Sequence, residues 1–188
     1  NDGNLEPTNE GHAFSKLYSV KLCSFISEDN EGYYYKSLIP CNIYGDKDNF
    51  NLNSSHFIPA IINKISTAKL NKLNKINVWG DGTPKREIMH VKDLSDGIIF
   101  CLKKFHVLPN LLNIGSGKDY EIIKYYKIVS KILNHNSEFI FDKSKPNGMK
   151  RKLLNVKKIN KLGWRSKITP QEGLKKTTLT FYNMLKKN

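Results

Sequence analysis

His12 and Lys16 stand four residues apart, so they share a face if their segment is helical. An imidazole there moves a proton near neutral pH, and a neighbouring ammonium lowers its pKa and holds a polar ligand group. The same pair also fits an ordinary solvated helix face. A dinucleotide fingerprint needs three glycines spaced GxGxxG between a strand and a helix. Gly115-Ser116-Gly117 supplies two of them and the third is missing, so it reads as a tight strand-to-helix turn. Cys23, Cys41 and Cys101 make no CxxC pair and no even-numbered framework. Free thiols of this kind fit a reducing, cytoplasmic compartment.

The elements that must position these groups alternate. Thr8-Asn9-Glu10 can cap a helix running to about Ser27, with Phe14, Leu17, Val20, Lys21 and Phe25 at helical spacing. Tyr33–Ile39 reads as a strand stopped by Pro40, and residues 40–55 as a polar, functional loop. A helix is predicted from His56 to Leu73, with Ile58, Ile61, Ile62 and Ile65 on one face. Strands are predicted at Ile76–Trp79, Arg86–Val91, Leu111–Ile114 and Glu138–Phe141. Helices are predicted at Lys92–Lys104, Asp119–Leu133, Val156–Leu162 and Pro170–Leu185, with Lys143–Lys150 a loop. Strands separated by helices mean an α/β fold, and these strands are too few and too short for a complete doubly wound sheet.

The 188 residues carry 31 Lys and Arg against 17 Asp and Glu, a net charge of +14. With 39% hydrophobic and 26% charged residues the composition is globular. No apolar run approaches the roughly 20 residues of a membrane span. Only Arg86, Arg151 and Arg165 are arginines, and Lys is spread along the whole chain. No basic stretch is interleaved with aromatics as a base-stacking surface would be. An anionic small molecule fits this charge with fewer demands than nucleic acid, and neither nucleic acid nor membrane is an expected partner.

Longer strings carry a resemblance. Leu5-Glu6-Pro7-Thr8-Asn9-Glu10 leads to Lys16 and then to Lys21-Leu22-Cys23. Pro40-Cys41-Asn42-Ile43-Tyr44-Gly45 follows, then Asp48-Asn49-Phe50 and Asn53-Ser54-Ser55-His56-Phe57-Ile58-Pro59-Ala60. Val78-Trp79-Gly80-Asp81-Gly82-Thr83-Pro84 comes next, with Arg86-Glu87 and His90-Val91. Asn113-Ile114-Gly115-Ser116-Gly117, Phe141 to Gly148, Arg151-Lys152-Leu153-Leu154 and Leu162-Gly163-Trp164 complete the series. In this order, over essentially the whole chain, the strings resemble the GDP-L-fucose synthase family. Its members are extended short-chain dehydrogenase/reductases that epimerise and reduce GDP-4-keto-6-deoxy-mannose, and it includes reductases of other GDP-4-keto-6-deoxy sugars.

The resemblance implies NADP(H) as cofactor, a GDP-sugar as substrate and a homodimer through the helix bearing Lys16. It divides the chain into residues 1–45, the back half of a Rossmann domain with the catalytic helix, and residues 46–188, mostly a sugar-nucleotide-binding subdomain. A Rossmann segment returns near 86–115. Lys16 resembles the lysine that binds the nicotinamide ribose. Pro40, Cys41, Asn42 and Ile43 resemble the lining of the nicotinamide end. His56 resembles an acid/base of the epimerisation that also lies against the cofactor. Lys64, Trp79, Arg86 and Lys152 resemble substrate contacts, with a flat ring for stacking and a guanidinium fork for phosphate.

Two departures follow. The family's glycine-rich loop and catalytic Ser and Cys precede the matched region, so the chain reads as the C-terminal portion of such an enzyme. By itself it is not expected to hold NADP well or to turn over. Cys23 and Cys41 do not match the place of the epimerase cysteine. Secondly, His12 occupies the position of the catalytic tyrosine. An imidazole is roughly 2 Å shorter than a phenol, and a 1 Å misplacement costs about 100-fold. Tyr18, six residues on, points to another face. The alternative reading is a catalytically inactive GDP-sugar-binding relative or scaffold, and a weaker one is a basic nucleic-acid-binding fragment.

Overall fold

Isoleucine spacing sets the best-buried helix. In the computed structural model, which describes residues 10–29, 32, 34–145 and 147–187, helix α2 covers Phe57–Leu70 and buries Ile58, Ile61, Ile62 and Ile65. This is the i, i+3, i+4, i+7 stripe of an amphipathic helix. The stripe packs against α4 (Ile122–Ile132) and α6 (Pro170–Leu185). Helix α6 opens with a capping box, Thr169 and Glu172 bonding reciprocally, and with Pro170 in its first turn. Strands β3 (Lys75–Trp79) and β7 (Glu138–Asp142) pair in parallel beside them. Tyr125, Tyr126, Val129, Leu174 and Phe181 complete this first core.

A second core lies around β1 (Ser37–Pro40) and β5 (Leu111–Ile114), a parallel pair with Pro40 opposite Ile114. Met89, Cys101, Leu112, Ile114, Ile159 and Trp164 fill it. They come from these strands and from α3 (Val91–Lys103), α5 (Lys157–Lys161) and the residues around them. Strand β4 (Lys85–His90) joins the two cores. Its second half pairs in parallel with β2 (Asn42–Tyr44). Its first half pairs with β6 (Asp119–Glu121), antiparallel, and with β8 (Arg151–Lys152), parallel. Helix α1 (Glu10–Asp29) precedes all of this and buries none of its residues.

The alternating α/β order is as the sequence predicts. The capping residues Thr8 and Asn9 lie outside the described residues, as does the proposed strand start at Tyr33. Three strands depart from expectation. Residues 42–44, inside the presumed loop, form β2, residues 119–121 form β6 before α4 begins, and residues 151–152 form β8. Each is two or three residues long and takes its shape from pairing with β4 rather than from its own pattern. The rest of the 40–55 segment is ordered by side chains. Asn49, Asn51 and Asn53 each donate a backbone N–H to the side-chain oxygen of Asp48, Asn49 and Asn51 in turn. Phe50 anchors it by stacking on Phe181 at 4.0 Å between ring centroids.

Candidate functional site

The chain steps from one strand pair to another at Pro40–Asn42. Cys41 donates its N–H to Ile114 O at 3.1 Å, and the Asn42 side-chain amide donates to Glu87 O at 2.8 Å. This step forms a wall shared by two cavities. The first, about 630 Å³, is lined by Pro40–Gly45, by His12 from α1, by His56–Pro59 at the start of α2, and by Lys47, Asp48 and Val91. The second, about 700 Å³, runs from Pro40–Asn42 past Glu87 to Met149 and Arg151–Leu154.

His56 is the N-cap of α2, yet its side chain makes no capping bond and faces the first cavity instead. His12 reaches the same cavity from α1. The two imidazoles singled out in the sequence therefore line the same cavity as Pro40, Cys41, Asn42 and Ile43. Desolvation, and then the Glu87 carboxylate, push the Cys41 thiol up to about 12. It stays protonated at neutral pH and is no nucleophile there.

Glu87 is 1% exposed. Its carboxylate accepts from Gly117 N–H at 2.7 Å, Leu154 N–H at 2.8 Å and the Ser116 hydroxyl at 3.3 Å. The Gly115-Ser116-Gly117 turn thus wraps a carboxylate supplied by the chain itself. A Cβ at Gly115 would lie 2.3 Å from Glu87 Oε1, so glycine is required for this approach. The donors that a phosphate would need are already engaged.

The remaining candidates are distributed differently. Lys16 is exposed on α1, and neither cavity's lining includes it, Lys64, Trp79 or Arg86. Trp79 ends β3 and is 61% exposed. Lys64 and Lys145 hold their ammonium groups 5.2 and 5.8 Å from its ring centre. Lys64 also donates to Asn77 O at 3.0 Å, and its burial lowers its pKa. It is therefore not a freely solvated helix-face lysine. Arg86 is half-buried and spends Nη1 on Lys85 O and Met149 O, at 2.9 and 2.7 Å. Lys152, its register partner across β4 and β8, lines the second cavity.

One strap, residues 142–145 and 147–154, carries the contacts among these groups. Lys145 touches Trp79, Met149 holds Arg86, and Asn147 clasps the turn after β3. The Asn147 side chain accepts from Asp81 N–H at 2.9 Å and donates to Asp81 Oδ2 at 3.0 Å. Gly80 allows the clasp, because at φ +71° its absent Cβ would otherwise meet Asn147 Oδ1. Arg151 pairs with Asp119.

Sequence reasoning assigned no role to Glu87. Its signal was a lone acid in Lys85-Arg86-Glu87-Ile88-Met89-His90, two residues before the buried Met89 and so on the same strand face.

A model of the NAD dependent epimerase/dehydratase family matches residues 1–115. Over 181 residues the chain is 44% identical to a GDP-L-colitose synthase of Yersinia pseudotuberculosis, covering 96% of this chain and 59% of that protein. It is 39% identical to a GDP-L-fucose synthase of Sinorhizobium fredii, covering 99% of this chain and 59% of the relative. The chain thus spans about three-fifths of the length of these relatives. Among solved structures it is similar to a GDP-mannoheptose C4 reductase from Campylobacter jejuni with NADP bound, at 27% identity and a TM-score of 0.80, covering 98% of this chain and 62% of that one. It is also similar to a GDP-6-OMe-4-keto-L-xylo-heptose reductase from C. jejuni, at 26% identity and a TM-score of 0.86, covering 97% of this chain and 63% of that one.

Proposed function

The chain belongs to the NAD-dependent epimerase/dehydratase family, and from that premise we propose that it serves a cytoplasmic, NADP(H)-dependent epimerase/reductase of a GDP-4-keto-6-deoxy-hexose. It supplies the sugar-nucleotide side and the nicotinamide end of the site. The observation that carries this reading is the convergence of His12 and His56 on the cavity walled by Pro40–Ile43.

The residues present fit the nicotinamide end of the cofactor, since that cavity is largely apolar and is lined by two imidazoles. They do not offer its phosphates the Gly115–Gly117 turn, which is filled by Glu87. When bound, the reduced cofactor supplies hydride to the keto carbon. His12 delivers the proton to the resulting oxygen, and Lys16, one helical turn along, holds the ribose and favours proton release. His56 exchanges protons at the sugar carbons flanking the keto group. Trp79 stacks on the guanine, and Lys64, Arg86 and Lys152 draw the diphosphate to the strap. In this reading residues 1–45 and 86–115 belong to the cofactor side and most of the remainder to the substrate side, with Ile159 and Trp164 of the remainder packing into the second core. The exposed Phe14, Leu17, Tyr18, Leu22 and Phe25 of α1 support a homodimer through that helix.

The two tryptophans give a direct test, because Trp79 is exposed and Trp164 is 4% exposed. Titration with GDP is expected to quench the Trp79 emission saturably, and Trp79→Phe to abolish the change. The absence of saturable quenching would overturn the reading.

A second reading, a GDP-sugar-binding relative without turnover, is favoured by one observation: a short imidazole at position 12 takes the place of the family's phenol. The two separate on NADPH oxidation with a GDP-4-keto-6-deoxy sugar in the intact protein. Turnover by the unsubstituted protein supports the enzyme. GDP binding with no turnover, and a large gain with His12→Tyr, supports the binding relative.

A further inference from the structure

A buried carboxylate with no cation beside it is costly, and an apolar side chain of the same size would fill the space without that cost. Glu87 is such a group. It is 1% exposed, and its hydrogen-bond partners among the described residues are all neutral donors. The nearby guanidinium of Arg151 is engaged by Asp119 instead.

What the carboxylate does is divide its two oxygens between two chain segments. Oε1 takes Gly117 N–H and the Ser116 hydroxyl, and Oε2 takes Leu154 N–H. The backbone carbonyl of the same residue takes the Asn42 amide. A single residue therefore ties together the Pro40–Asn42 wall, the 115–117 turn and the end of the strap. Both oxygens are needed, since the turn and the strap approach from separate stretches of chain and neither bonds the other's donor.

We propose that Glu87 is a positioning residue for sugar-nucleotide binding: its carboxylate fixes the strap at Leu154 and thereby sets where Lys152 stands at the rim of the second cavity. Lys152 lies two residues before the tether, in β8, whose two residues pair with β4. So short a strand does not hold its own register, and the tether at Leu154 closes the segment from its other end. The inference rests on the substrate-side reading above, and it adds a residue that itself touches no substrate.

The test is Glu87→Gln in the full chain. A carboxamide has one accepting oxygen and one donating NH2, whereas Gly117 and Leu154 both present N–H groups. One tether must fail. Amide exchange at Leu154 or Gly117 is expected to speed up at least about tenfold, while Ile62 and Ile65 in α2 keep their protection. GDP binding, read by Trp79 quenching, is expected to weaken about tenfold. Because Glu87 acts through Lys152, the pair Glu87→Gln with Lys152→Ala is expected to bind GDP no more weakly than Lys152→Ala alone.

Unchanged exchange at both amides would overturn the proposal. So would fully additive losses in the double variant. If the Gln variant fails to fold, Glu87→Asp keeps the charge and both acceptors but withdraws them by one methylene, and the same exchange and additivity readouts apply. If the unsubstituted chain does not bind GDP, the substrate-side reading falls. Exchange at Leu154 then still decides whether Glu87 holds the strap.

Discussion

Helices α1 and α2 are both rich in large apolar residues, and they meet opposite fates. Helix α2 buries seven of its residues: Ile58, Pro59, Ile61, Ile62, Ile65, Ser66 and Ala68. Helix α1, at 20 residues, buries none, and leaves Phe14 62% and Phe25 57% exposed. The difference lies in what covers each face. The isoleucines of α2 form one stripe packed on α4 and α6. Phe14, Leu17, Tyr18, Leu22 and Phe25 of α1 also share a face, at i, i+3, i+4, i+8 and i+11, but that face is exposed. A helix gains most of its stability from an apolar face packed on something, so α2 belongs to the cooperative core and α1 contributes little to it.

The largest effect should come from cutting into α2. Ile62→Ala, at a site 0% exposed, is expected to cost about 2–5 kcal/mol in urea unfolding. A loss under about 1 kcal/mol would mean that α2 is no better anchored than α1. Next, Thr169→Ala removes the capping box of α6, the partner of α2, and should cost about 1 kcal/mol. Acid should act on the same region. Desolvation holds the buried His90 imidazole below its ordinary 6.5. The unfolded chain therefore takes up more protons than the folded one as pH falls from that value. Stability that is fully present above pH 6.5 should decline below it, read as a falling Tm, and His90→Gln should flatten the decline. The smallest effect is expected at α1, where Phe14→Ala should change unfolding by no more than about 0.5 kcal/mol in dilute solution. A larger loss that grows with protein concentration would place that face in a dimer.

Legibility in the sequence followed the length of the signal. The isoleucine stripe, the Leu111–Ile114 strand and the helix start at Pro170 were readable because each is several residues long or carries a proline suited to a first turn. Strands β2, β6 and β8 were not, since their conformation comes from β4 and no local pattern encodes it. The site divides in the same way. His12, His56 and Pro40–Ile43 line one cavity. Lys16, Lys64, Trp79 and Arg86 do not line either cavity, because where a long side chain points depends on what it finds to bond: Lys64 finds Asn77 O, and Arg86 finds Met149 O. Gly115-Ser116-Gly117 resembled half of a phosphate loop because anion-binding turns look alike in sequence. Here the anion is Glu87, from a strand about thirty residues away.

The clasp of Asn147 on Asp81 also bears on how the protein ages. Asn147 is followed by Gly148, the neighbour that least hinders attack of the next backbone nitrogen on an asparagine amide. Deamidation there would replace the donating NH2, now 3.0 Å from Asp81 Oδ2, with an anionic oxygen. Two carboxylates would then face each other where a hydrogen bond stood, and their repulsion would spring the latch. Storage damage at one side chain would in this way loosen the hold of the 142–154 segment on Trp79 without touching either hydrophobic core.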